Sequence, residues 1–187
     1  MEDYFAESYD KVFHHEGGFV DDPDDRGGMT FMGISRRFWP DEPLWEAIDE
    51  ALDAGEDPND LIDQVRPLVG DFYRREFWNK GLCDRIGHKE LASSHFDFFV
   101  NAGARNAIRA LQVVANAVGG QDIDEDGLAG PATRAAVDKL NGLDEQGFAR
   151  ALLVYNACRT MHYVTLARKD ASQRKFIKGW LNRVLTS

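Results

Sequence analysis

The chain has 187 residues, 43% hydrophobic and 29% charged, a composition that buries a core and suits one medium domain or two small lobes. Its formal net charge of −10 disfavours nucleic-acid binding, because phosphate contacts need clustered Lys and Arg. No stretch reaches the length and apolarity of a membrane-spanning helix, so no stable membrane insertion is expected, and the opening MEDYFAESYDK lacks the basic-then-apolar pattern of a secretory signal.

In chain order the pattern is mainly α. Residues 3–15 carry Phe5, Tyr9, Val12 and Phe13 at helical spacing. The segment 17–34, rich in glycine and aspartate and containing Pro23, reads as a loop or short β-hairpin. Leu44, Ile48 and Leu52 mark a helix that ends near Gly55, and Leu61, Ile62 and Val65 mark another. Pro67 is expected to open a further helix through Phe72, Arg75 and Trp78 to a stop at Gly81. Residues 88–101 give a strongly apolar helix, and 104–118 another that ends at Gly119 and Gly120. The polar turn QDIDEDGLAGP precedes a short helix opened by Pro131. Residues 144–168 form a long helix, and Ser172 is expected to cap the last one. A soft boundary near residue 101 divides a region 1–100 from a helical region 101–187 that packs against it. Two cysteines, Cys83 and Cys158, are too few for a disulfide framework and read as buried thiols of a reducing compartment.

The chemistry concentrates in residues 14–35, HHEGGFVDDPDDRGGMTFMGIS. Glycosidic cleavage needs one protonated carboxyl for the leaving oxygen and a second carboxylate to activate water or stabilise the sugar cation. Glu16 follows an apolar helix and lies between Phe13 and Phe19. Partial desolvation there would raise its pKa toward that of a general acid. Asp25 stands nine residues on (25 − 16 = 9) and Thr30 five further (30 − 25 = 5), although Asp21, Asp22 and Asp24 compete for the second role. Asp25 could equally hold a turn at Gly27–Gly28, and Thr30 a strand turn.

This segment resembles the opening signature of glycoside hydrolase family 108, E-G-G-[YF]-x-x-x-P-x-D-x-G-G-x-T-x-x-G-I. The resemblance continues in DFFVNAGARNAIRALQ (97–112), in DGLAGPAT (126–133), similar to the predicted peptidoglycan-binding half of that family, and in the closing FIKGWLNRV (176–184). It implies an N-acetylmuramidase with a lysozyme-like helical fold, its hairpin or loop beside the active-site cleft, and Glu16 as the essential acid. It also implies, as in small phage-type lysozymes, an Asp and a Thr that position the attacking water. Phe19 stands where Tyr is common and Arg26 where Pro is frequent.

The partner implied is the peptidoglycan glycan strand, cut at the β-1,4 bond between N-acetylmuramic acid and N-acetylglucosamine; no cofactor is expected. Bacterial walls are usually anionic, so an acidic enzyme gains no long-range attraction, an effect the basic stretch 174–183 (RKFIKGWLNR) offsets in part. With no signal recognised, cytoplasmic build-up is expected, followed by release through a holin or another route to the periplasm or wall, as for phage endolysins. Two readings compete: a non-catalytic peptidoglycan-binding or secretion-associated protein, and a lytic transglycosylase that needs no second carboxylate.

Among the remaining polar and aromatic residues, Asn101, Phe31 and Tyr73 are candidates to meet the sugar, with a helix C-cap as the alternative for Asn101 and core packing for the aromatics. His14 and His15 have no zinc-like companions. Asp122, Asp124 and Asp126 before Gly127 resemble the start of a calcium loop, but the twelfth position is Thr133 where a bidentate Glu is wanted; the alternative is an acidic turn before a helix.

Overall fold

The computed structural model describes residues 3–13, 18–21 and 28–186. They form eight α-helices and one small three-stranded antiparallel sheet, so the mainly α fold with a hairpin is borne out. The chain divides into a small unit, Tyr9–Arg75, and a larger helical unit built from Met1–Ser8 and Glu76–Ser187. The division falls inside a first helix, α1 (Phe5–Phe13), and inside a π-helical turn, Arg74–Asn79.

The small unit holds strands β1 (Phe19–Val20), β2 (Thr30–Phe31) and β3 (Ile34–Ser35), then helices α2 (Leu44–Ala54) and α3 (Ile62–Tyr73). Gly55 closes α2 in the left-handed region (φ 74°), donating its N–H to the carbonyls of Ala51 and Leu52. Pro67 does not open a helix; it sits inside α3. Its ring removes one helical hydrogen bond at a cost of about 3 kcal/mol in a helix interior. Here Val65, Val69, Phe72 and Tyr73 bury one continuous stripe across it, and each such side chain contributes roughly 1.5–3 kcal/mol.

The helical unit contains α4 (Lys89–Ala102), α5 (Ala104–Ala117), α6 (Pro131–Leu140), α7 (Glu145–Lys169) and α8 (Ile177–Thr186). Residues 91–99 of α4 are buried without a break, packed against α5, α7, the turn Cys83–Arg85 and the aromatics Phe77 and Trp78. Phe5 joins this core edge-on to Trp78 and Phe96, at 5.5 and 5.9 Å. The buried Ser94, His95 and Asp97 of α4 are all bonded, as burial requires. His95 Nε2 lies 2.6 Å from the Gly81 carbonyl, which can only accept, so Nε2 carries the proton and Nδ1 accepts from the Tyr155 hydroxyl at 2.7 Å. Burial lowers the His95 pKa from 6.5 to about 4.

Two expectations are corrected. Asp170, not Ser172, caps the chain after α7: its carboxylate accepts the Ser172 N–H at 2.8 Å and opens a 3-10 turn, Ala171–Phe176, ahead of α8. Cys83 is a buried free thiol as read, but Cys158 is free and only half-buried.

Candidate functional site

Glu16 and Asp25 lie outside the described residues, as do Asp22, Asp24, His14 and His15. The elements that flank them in the chain are described. Glu16 falls between α1 and β1, and Asp25 between β1 and β2. Asp21 is exposed.

Strand β2 is the centre of the sheet. Thr30 pairs with Val20 on one side and Ser35 on the other, and Phe31 pairs with Phe19 and Ile34. Successive residues of a strand point to opposite faces, and the two differ accordingly: Phe31 is fully buried and Thr30 half-buried. β2 and β3 are joined by two residues, Met32 and Gly33, both at positive φ (49° and 77°), as a tight hairpin turn of the right twist requires.

Three ties hold this hairpin inside the small unit. The Phe19 N–H donates to Asn59 Oδ1 at 2.8 Å, and the Asn59 amide is held in turn by Asp57 Oδ1, which accepts its Nδ2 at 2.8 Å. A Cβ on Gly18 would meet Asn59 Oδ1 at 2.0 Å, so only glycine allows that approach. The Gly18 carbonyl accepts the Met32 N–H at 3.2 Å, and the buried Tyr73 hydroxyl donates to the Met32 carbonyl at 2.9 Å. Beyond the sheet, Arg36 forms a bidentate pair with Asp49 and lies over the Trp45 ring, 5.5 Å from its centre.

Tyr73 and Phe31, read as candidates to meet the sugar, are packed in the core of the small unit. Tyr73 is 3% exposed and its hydroxyl is committed to the turn; Phe31 is 0% exposed. The signal was present: Tyr73 falls on the same helical stripe as Val65, Val69 and Phe72. Asn59 was missed as an anchor, although DPN at 57–59 is a turn-forming run.

The later motif residues meet one another. Asn101 stands inside α4 rather than capping it, and its amide turns back to the Asp97 carbonyl (2.8 Å) and Asp97 Oδ1 (3.1 Å). The same carboxylate takes Arg159 of α7 and, at 3.1 Å, Arg183 of α8. Arg159 Nη1 also donates to Ser94 Oγ at 2.6 Å. Gln112 of α5 is a second hub: its amide Nε2 donates to Asp126 Oδ1 (2.8 Å) and Thr133 Oγ1 (2.9 Å), while its side-chain Oε1 accepts the Gly127 N–H (2.8 Å). Gln112 and Leu128 N–H together hold the Asp126 carboxylate below its ordinary range. Asp122 and Asp124 are exposed, and among the described residues no three His, Cys, Asp or Glu side chains come together to hold a metal.

Residues 9–103 match the family model described as Glycosyl hydrolase 108, and the chain belongs to that family. Residues 106–185 match the model described as Predicted Peptidoglycan domain. The protein is a glycoside hydrolase, and its polymer is peptidoglycan. Among solved structures the chain is similar to SagA of Brucella abortus, with 26% identity and a TM-score of 0.61 over 97% of this chain and 90% of that one. No curated protein matches the chain.

Proposed function

We propose that this peptidoglycan hydrolase is an N-acetylmuramidase that cuts the β-1,4 bond between N-acetylmuramic acid and N-acetylglucosamine. Glu16 gives its proton to the leaving glycosidic oxygen as the bond to the anomeric carbon breaks. A water molecule, held by Asp25 and Thr30, forms the new bond to that carbon from the opposite face and passes its proton to Asp25, inverting the anomer. The observation that carries this reading is the anchored hairpin. The acid-bearing segments 14–17 and 22–27 flank one short strand, β1, which Asn59 and Met32 tie down at Phe19 and Gly18. Such fixed flanks are what a pair of acting carboxyls needs, since small misplacements cost large factors in rate.

The reading extends to place. The substrate is the wall, so the enzyme acts in the periplasm or on the wall, and a holin or comparable pore releases it there, in the manner of a phage endolysin. No described helix is long and apolar enough to cross a membrane.

The test is mass spectrometry of muropeptides from purified sacculi. Glu16→Gln is expected to lose about 10²–10⁴-fold in rate while keeping the wild-type circular dichroism. Asp25→Ala is expected to lose activity too. Undiminished lysis by Glu16→Gln refutes the acid. Anhydro-muramic products with an active Asp25→Ala select transglycosylase chemistry, and release at amide bonds refutes the glycosidase.

A further inference from the structure

A groove of 460 Å³ lies between α5 and α7, with Phe98 of α4 in its lining. It presents one face of each helix. From α5 come Asn106, Arg109, Ala110 and Val113, spaced i, i+3, i+4, i+7; from α7 come Cys158, Met161, His162, Thr165 and Lys169 on the same rhythm. Helix faces that close against each other carry apolar residues at these positions. Here the floor is apolar but the rim holds amide, hydroxyl and two cations.

The groove is polarised along its length. Ser94 and Phe98 of α4 meet Asn156 and His162 of α7 in the same chain order, and α5 turns back from the C-terminal end of α4 at Gly103. The Cys158 end of α7 therefore lies beside the late turns of α5, and Lys169 beside its early turns, with Arg109 and Asn106. Arg109 and Lys169 are exposed, and neither has an ion-pair partner among the described residues. Unpaired cations converging at one end of a groove are notable in a chain of net charge −10. They suit an anion, and the apolar floor suits a slender uncharged body attached to it. The volume is that of a small-ligand site.

We infer that this groove binds the peptide stem of peptidoglycan, its carboxylates at the Arg109–Lys169 end and its alanyl methyl groups over Phe98, Ala110 and Val113. The inference rests on the chain being a peptidoglycan hydrolase and adds which part of the polymer the helical unit recognises. The glycan backbone is not favoured as occupant, because its repeating sugars carry no free carboxylate once the stem is amide-linked.

The experiment is titration calorimetry on the full chain with two probes: the free tetrapeptide L-Ala-γ-D-Glu-meso-diaminopimelyl-D-Ala, and peptide-free glycan strands. The tetrapeptide is expected to bind, and to bind more weakly as salt rises. Arg109→Ala with Lys169→Ala is expected to weaken it about tenfold, each exposed charge contributing about threefold. The urea midpoint of the double variant checks that it folds. Bound tetrapeptide is also expected to slow alkylation of Cys158, with buried Cys83 as the internal reference. Equal tetrapeptide affinity in the double variant, with Cys158 unprotected, overturns the groove and leaves the hydrolase standing. Binding of glycan strands without binding of the tetrapeptide overturns the occupant. A wild-type chain that neither binds nor digests sacculi removes the hydrolase reading itself, and the groove assignment with it.

Discussion

The two units keep their polar residues in different ways. In the small unit the ion pairs seen among the described residues sit at the surface: Arg36 and Asp49 are 34% and 46% exposed, and Arg75 reaches Glu42 from a half-exposed position. The helical unit has surface pairs too, Arg85 with Asp138 among them, but one of its pairs is interred, with Arg159 at 0% and Asp97 at 10%. The residues that look like family motifs in that unit, Asp97, Asn101, Gln112, Asp126, Thr133 and Arg183, satisfy one another. A polar residue repeated in a family pattern can thus hold a fold or carry a reaction, and geometry separates the cases. The later motifs are committed to the fold.

The largest effect that would break this contrast is truncation inside the buried network. Arg159→Met is expected to cost about 3–5 kcal/mol, because it leaves Asp97 and Ser94 buried with their principal partner gone. Arg36→Met is expected to cost about 1 kcal/mol, since its pair is half in water and only the contact with Trp45 adds to it. Urea denaturation of both variants checks the ratio. Equal losses would mean that the interred pair is no more important than the surface one.

Next in size is a pH effect confined to the helical unit. Unfolded, His95 titrates near 6.5; folded, its site holds it neutral down to about 4. Between those values the unfolded chain binds a proton that the folded chain refuses, so stability is complete above pH 6.5 and falls as pH drops toward 4, by about 3 kcal/mol in all. Below pH 4 this loss levels off. The urea midpoint followed from pH 7 to pH 4 reads it, and His95→Gln should flatten the slope across that window. An unchanged slope would assign the acid sensitivity to carboxylates instead.

These two cases also show what was legible in the sequence. Helices read well, because apolar residues at 3.6-residue spacing leave their mark wherever one face is buried. Arg159 escaped, although it stands between Tyr155 and Tyr163 at four-residue steps, and a cation in the middle of an aromatic stripe has to find a buried partner. The partner, Asp97, is 62 residues away in sequence, and no local rule supplies it. Pro67 misled for a related reason: a helix-opening residue is a local signal, and the stripe from Val65 to Tyr73 that overrides it is tertiary. In the candidate site the acidic motif was legible, but its scaffold was not. Asn59 and Tyr73 reach the hairpin from 40 and 41 residues away.

The smallest effect tests that scaffold. Met32 sits at φ 49°, where a side chain costs roughly 1–2 kcal/mol relative to the usual helical region. Its side chain is 3% exposed, and burial on that scale contributes roughly 1.5–3 kcal/mol, so the strained turn holds with little to spare. The Tyr73 hydroxyl on the Met32 carbonyl supplies about 1 kcal/mol more. Tyr73→Phe keeps the ring and removes only that bond. It is expected to lower stability by about 1 kcal/mol and to lower turnover on sacculi a few-fold, because β2 carries Thr30 two residues before Met32. Stability reports the hydrogen bond and turnover reports the position of the strand, so the two need not move together. A variant with reduced stability and wild-type turnover would mean that Asn59 and the sheet pairing hold Thr30 without help from the turn.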